Sequence, residues 1–144
     1  MKSWCCTLFA GTAFVCLTSM PPATLAADST AHVKPAKVEP IPGSALKKVT
    51  LTTKAAQRID VQTALVRADP AGKRIVPYTA VLYDKQGATW VYVTTDSLAF
   101  VRQAIAIEVI RGENALLKDG PAVGAKVLVT GVPQVYGAEM GVGH

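Results

Sequence analysis

Thr89-Trp90-Val91-Tyr92-Val93 alternates aromatic and β-branched side chains with a period of two. That period belongs to a strand, because successive side chains point to opposite faces of a sheet. Working backward, Asp84-Lys85-Gln86-Gly87 is a four-residue hairpin connection. Ile75 to Tyr83 reads as a further strand, interrupted by Pro77. A proline has no N–H for the ladder, so Pro77 marks an edge or a bulge. Working forward, Val101, Ile105, Ile107 and Val109 share one parity over Phe100–Ile110, while Arg102 and Glu108 share the other. That pattern predicts a strand with one buried face and one wet face. Arg111 to Asn114 turns the chain, and Ala115-Leu116-Leu117 is a short strand. A loop follows at Asp119-Gly120-Pro121 and Gly124, and Lys126–Thr130 places Val127 and Val129 on one face.

The expectation is a mainly β fold: a small antiparallel β-barrel or sandwich-like domain with one short helix, since short strands recur between Gly and Pro turns. The helix is Lys54–Ile59, built of good helix formers and capped by Thr52 or Thr53, with Asp60 as its end. Lys48–Leu51 before it and Val61–Val66 after it read as strands, and Ala68–Lys73 as a turn. Gly131–Gly143 is left between a short helix and an irregular tail.

The remaining organisation lies upstream. Met1-Lys2 is a positive start, Trp4–Met20 is nearly uncharged and apolar, and Thr24-Leu25-Ala26-Ala27 supplies small residues before polar Asp28. That order is a secretory signal peptide over 1–27. Removal of it leaves about 118 residues, enough for one core that buries about two-thirds of its unfolded surface. Residues 28–45, with Pro35, Pro40, Pro42 and Gly43, read as a flexible tether. The β-domain is expected over 46–137 and a Gly-rich tail over 138–144. Cys5, Cys6 and Cys16 all lie in the signal, so the exported chain has no thiol for a disulfide, a metal or a nucleophile. With 144 residues, 50% hydrophobic and 17% charged, the chain is neither disordered nor multi-domain.

Chemistry is sparse. No phosphate loop, nucleophile elbow or zinc-protease motif occurs, and the histidines fall in the tether (His32) and at the last position (His144). No catalytic role, cofactor or enzyme activity is expected. The net charge of +5 is spread along the chain without clustered stacking aromatics, which argues against nucleic acid and for a solvated basic surface with a weak attraction to anionic headgroups. Glu139, Met140 and His144 are the metal-ligand candidates, since a thioether and an imidazole suit a soft ion. Tyr83, Trp90 and Tyr92 are the partner-binding candidates. Aromatics on strands are core residues unless exposed, and exposed they anchor interfaces.

Two blocks carry a family resemblance. Leu46–Val66 (LKKVTLTTKAAQRIDVQTALV) resembles the opening of periplasmic adaptor subunits, the haemolysin-D-like membrane fusion proteins of resistance-nodulation-division efflux systems, heavy-metal type. Val76–Asp84 (VPYTAVLYD), Gly87, Thr89–Val93, Phe100–Arg102, Asp119–Pro121 through Val129–Gly131 and Tyr136–His144 are similar to the C-terminal part of the same family. The family separates these blocks by a helical hairpin, a lipoyl-like domain and a β-barrel. Here Arg67–Lys73 joins them directly. The resemblance implies the membrane-proximal β-domain alone: a periplasmic accessory or truncated adaptor, associated with an inner-membrane efflux pump, its full-length adaptor or both, and peripheral to the membrane. The alternative is a small periplasmic metal- or ligand-binding protein.

Overall fold

The computed structural model describes Lys34–Val142. The expected signal peptide with its cysteines, the start of the expected tether with His32, and His144 lie outside the described residues. In chain order the elements are β1 (Ala36–Pro40), β2 (Lys47–Leu51), α1 (Thr53–Arg58), β3 (Gln62–Leu65), β4 (Arg67–Ala68) and β5 (Arg74–Pro77). A 3₁₀ turn (Tyr78–Ala80), β6 (Leu82–Tyr83), β7 (Thr89–Asp96), β8 (Ala99–Ala104), β9 (Ala106–Arg111), β10 (Asn114–Asp119), β11 (Lys126–Thr130) and α2 (Val132–Met140) complete it.

The strands form two antiparallel sheets. One runs β1-β2-β8-β7-β11-β3, with β6 also paired to β7, and the other runs β4-β5-β10-β9. Neither sheet closes on itself, so of the two expected architectures the sandwich-like one is present and the barrel is not. The larger sheet is covered on both faces. Val91 and Val127 point toward the smaller sheet and share an interior with Val66, Val76, Ala115 and Leu117. Tyr92, Phe100 and Leu128 point the other way and pack with Val49, Leu51, Ala56, Val132 and Val135 under the two helices. The layers are therefore helices, large sheet, small sheet. Alternation along β7 and β11 sorts side chains between two interiors, not between interior and water.

This double coverage corrects the reading of Phe100–Ile110. It is two strands, β8 in the large sheet and β9 in the small one, and the chain changes sheets at Ile105, whose N–H donates to the Thr89 carbonyl at 3.0 Å. Phe100 is fully buried, and Arg102 on the same face is nearly so. Ile105 and Ile107 keep the expected inward parity into β9, but Val109 at the strand's far end is 37% exposed. The same crossing occurs at Val66, between β3 and β4. Ile75–Tyr83 likewise divides. Pro77 ends β5 opposite Asn114, and a 3₁₀ turn precedes β6.

Two further differences concern the ends. Ala36–Pro40 belongs to the expected tether but forms edge strand β1, paired with β2 from Ala36↔Leu51 to Pro40↔Lys47. Ala36 and Val38 pack against the helix-side core, and Pro40 sits at the strand end, where its missing N–H costs little. The start of the expected Gly-rich tail is the last turn of α2. Gly131 opens this helix at φ 89° and Gly141 closes it at φ 76°. The Gly141 N–H donates to the Ala138 carbonyl and the Val142 N–H to the Gly137 carbonyl, the bond pair of a Schellman cap. The first helix stands where expected, with Thr52 Oγ1 accepting from the Ala55 N–H at 3.2 Å.

Gly131 is the one connection between β11 and α2. A Cβ there would stand 3.1 Å from Ile59 Cδ1 in a backbone region unfavourable to L side chains. Gly131→Ala is expected to lower stability by about 1–3 kcal/mol. A urea midpoint shifted to lower concentration with unchanged slope is the check.

Candidate functional site

The aromatic strand β7 meets α2 at a cluster of charged and aromatic groups. Tyr92 and Arg102 are direct cross-strand partners on β7 and β8, and both point toward α2. Trp90 lies one pleat along the same face, so the guanidinium covers its ring, with Cζ 4.5 Å from the centroid. α2 brings the Tyr136 ring to 5.9 Å from the guanidinium Cζ. From the next turn of α2, Glu139 Oε1 forms an ion pair with Arg102 Nη2 at 3.3 Å, and Oε2 accepts from the Tyr92 hydroxyl at 2.5 Å. The Glu139 side chain is 1% exposed. Its carbonyl accepts from Lys47 Nζ at 3.2 Å, a cation at a helix C-terminus where it complements the dipole.

The hairpin before β7 sets Trp90. Asp84 Oδ1 accepts from the N–H groups of Gln86 and Ala88, and Oδ2 accepts from Trp90 Nε1 at 2.9 Å. The indole bond, followed by those backbone bonds, holds the Asp84 carboxyl below the usual carboxylate range. Asp84, Trp90, Arg102, Glu139 and Tyr92 thus form one continuous chain of contacts from a surface turn to the core. Among the described residues Arg102 Nε and Thr94 Oγ1 are the buried polar side-chain atoms without a partner.

The expected site residues are distributed unevenly. Tyr92 is fully buried, so it is a core residue and not a surface anchor; its hydroxyl is spent on Glu139. Trp90 is half-buried under Arg102. Tyr83 is 49% exposed and stands beside Tyr78, itself 41% exposed. The neighbouring Tyr78 phenol, and then burial, raise the Tyr83 phenol above its ordinary value. Of the metal candidates, Glu139 is buried and engaged on both oxygens, Met140 is 44% exposed, and His144 lies outside the described residues. Among the described residues there is no group of three His, Cys, Asp or Glu placed to hold a metal, and no helix is long and apolar enough to cross a membrane. Sequence reasoning missed Arg102, because a charge inside an apolar strand reads as the wet face. The adjacent signal was Trp90 on β7, the ring that the guanidinium covers.

Burial, and then the neighbouring Glu139 carboxylate, push the Tyr92 phenol well above its ordinary pKa of about 10. The folded state therefore holds this proton at a pH where the unfolded chain loses it. Stability from Tyr92 is complete below about pH 10 and falls above it by up to about 1.4 kcal/mol per pH unit. Urea midpoints measured at about pH 8 and about pH 11 are expected to fall more steeply for the wild type than for Tyr92→Phe.

Set beside family profiles, curated proteins and solved structures, the chain finds no match.

Proposed function

We propose that the chain is an exported, non-enzymatic docking domain that associates in the periplasm with a resistance-nodulation-division efflux system, through its inner-membrane pump, a full-length adaptor or both. The observation that carries the reading is how the two resembling blocks meet. β3, from the first block, pairs with β11 from the second, and β11 pairs with β7. Val66 packs in one interior with Val76, Val91 and Val127. Chain segments that a family keeps apart by inserted modules share one hydrophobic core here, joined by a turn at Asp69–Gly72. A domain of this kind works by surface contact, and Tyr78 with Tyr83 supplies an exposed aromatic pair on a rigid support. Asp84, Trp90, Arg102, Glu139 and Tyr92 are engaged with one another, and the exposed tyrosines are left to face a partner.

The test is retention of the full chain on immobilised pump and immobilised adaptor. Retention above a control protein on either bait, reduced about tenfold or more by Tyr78→Ala with Tyr83→Ala, is expected for hot-spot anchors. Retention equal to the control on both baits overturns the reading.

A further inference from the structure

A groove of about 910 Å³ opens between β1, β2, α1 and the C-terminal end of α2. It exists because α2, with nine residues, is only about 13 Å long and does not roof the outer strand. Ala36, Val38 and Ile59 pack on the helix-side core yet remain half-buried, and together with Leu51 and Ala55 they line the trough. Its volume lies in the range of small-molecule sites, about 300–1,000 Å³.

Its charge is one-sided. Lys34, Lys37 and Lys47 line the groove, and the one acidic lining residue, Glu139, turns its carboxylate away to Arg102 and Tyr92. Lys47 spends one proton on the Glu139 carbonyl, and Lys37 pairs at 2.8 Å with Glu39, which does not line the trough. Lys37 shares its parity on β1 with Glu39 and not with Ala36 and Val38, which leaves Lys34 and Lys47 as the groove's cations. An apolar channel beside two ammonium groups complements a molecule that joins a hydrocarbon chain to an anionic head.

We infer that this groove binds a free long-chain carboxylate, with the alkyl chain over Ala36, Val38, Leu51 and Ile59 and the carboxylate beside Lys34 and Lys47. A trough takes in a single chain, whereas a bilayer needs a broad projecting apolar face, and here Met140 and Val142 are the exposed apolar groups at the rim. The site is separate from the Tyr78–Tyr83 face and does not depend on the efflux reading.

The experiment is a fluorescence titration of the full chain with 11-(dansylamino)undecanoic acid at low salt, followed by displacement with oleate and with oleyl alcohol. Saturable one-to-one binding is expected, displaced about tenfold more readily by oleate than by the alcohol. Ala55→Trp, which fills the trough, is expected to weaken the probe by about tenfold or more. Lys34→Gln with Lys47→Gln touches no residue of the core and is expected to erase the preference for oleate over the alcohol. Non-saturable binding, equal displacement by acid and alcohol, or a titration unchanged in both variants overturns the inference. So does co-sedimentation with phosphatidylglycerol vesicles that outcompetes the free acid and is indifferent to Ala55→Trp, which would assign the lysines to a membrane surface.

Discussion

Arg102→Ala is expected to lower the unfolding free energy by about 3–5 kcal/mol, because it strands a buried carboxylate. Glu139 would keep the Tyr92 hydroxyl as a donor but lose the cation 3.3 Å away, with its side chain 1% exposed. The guanidinium face on Trp90 would be lost as well. A loss of that size is a large share of the roughly 5–15 kcal/mol that holds a domain together. The urea midpoint is expected to fall without a change in slope. The companion is Arg102→Leu with Glu139→Leu. Removing both charges spares both desolvation costs but orphans the buried Tyr92 hydroxyl, a cost of about 1–3 kcal/mol, so the double variant is expected to recover part of the loss and the addition of Tyr92→Phe most of the rest. A triple variant as weak as Arg102→Ala would mean that the stranded carboxylate is not the source of the loss.

Phe100→Ala is expected to cost about 3–5 kcal/mol through lost burial and the cavity left behind. Phe100 is fully buried, pairs across to Val49 on β2 and to Thr94 on β7, and lies in the interior beneath the helices. Val101, its neighbour on the opposite face, is only half-buried, and Val101→Ala is expected to cost about 0.5–1.5 kcal/mol, as for deletion of a methyl or two. The order matters more than either value. The alternation of Val101, Ile105, Ile107 and Val109 predicts the opposite ranking, so equilibrium denaturation of the two variants decides which face of β8 is the deeper one.

Much of the local structure is legible from residue types. Trp90 and Tyr92 against Val91 and Val93 mark a strand, and the cap at Thr52 marks α1. Asp84 and Gly87 mark the hairpin turn, where the Gly87 N–H donates to the Asp84 carbonyl. Each of these follows from bonds within a few positions of chain. The candidate site was legible only in part. Tyr83 is exposed as an anchor must be, but Tyr92 is not, and nothing near Tyr92 in the chain announces Glu139 as its acceptor. β1 was hidden by its prolines, although Ala36 and Val38 alternate with Lys37 and Glu39 as an edge strand would. The helix α2 was hidden by its glycines, two of which serve as left-handed caps.

Residue order by itself determined the mainly β character, the short strands, the first helix and the turns, because period-two alternation and capping are properties of neighbouring residues. Tertiary structure alone decided which face of each strand is deep, where the chain passes from one sheet to the other at Val66 and Ile105, and that Arg102 meets Glu139 under α2. The physical reason is that the central sheet is covered on both sides. A polar side chain on such a sheet does not point to water, and its partner comes from a helix at the far end of the chain that only packing brings near.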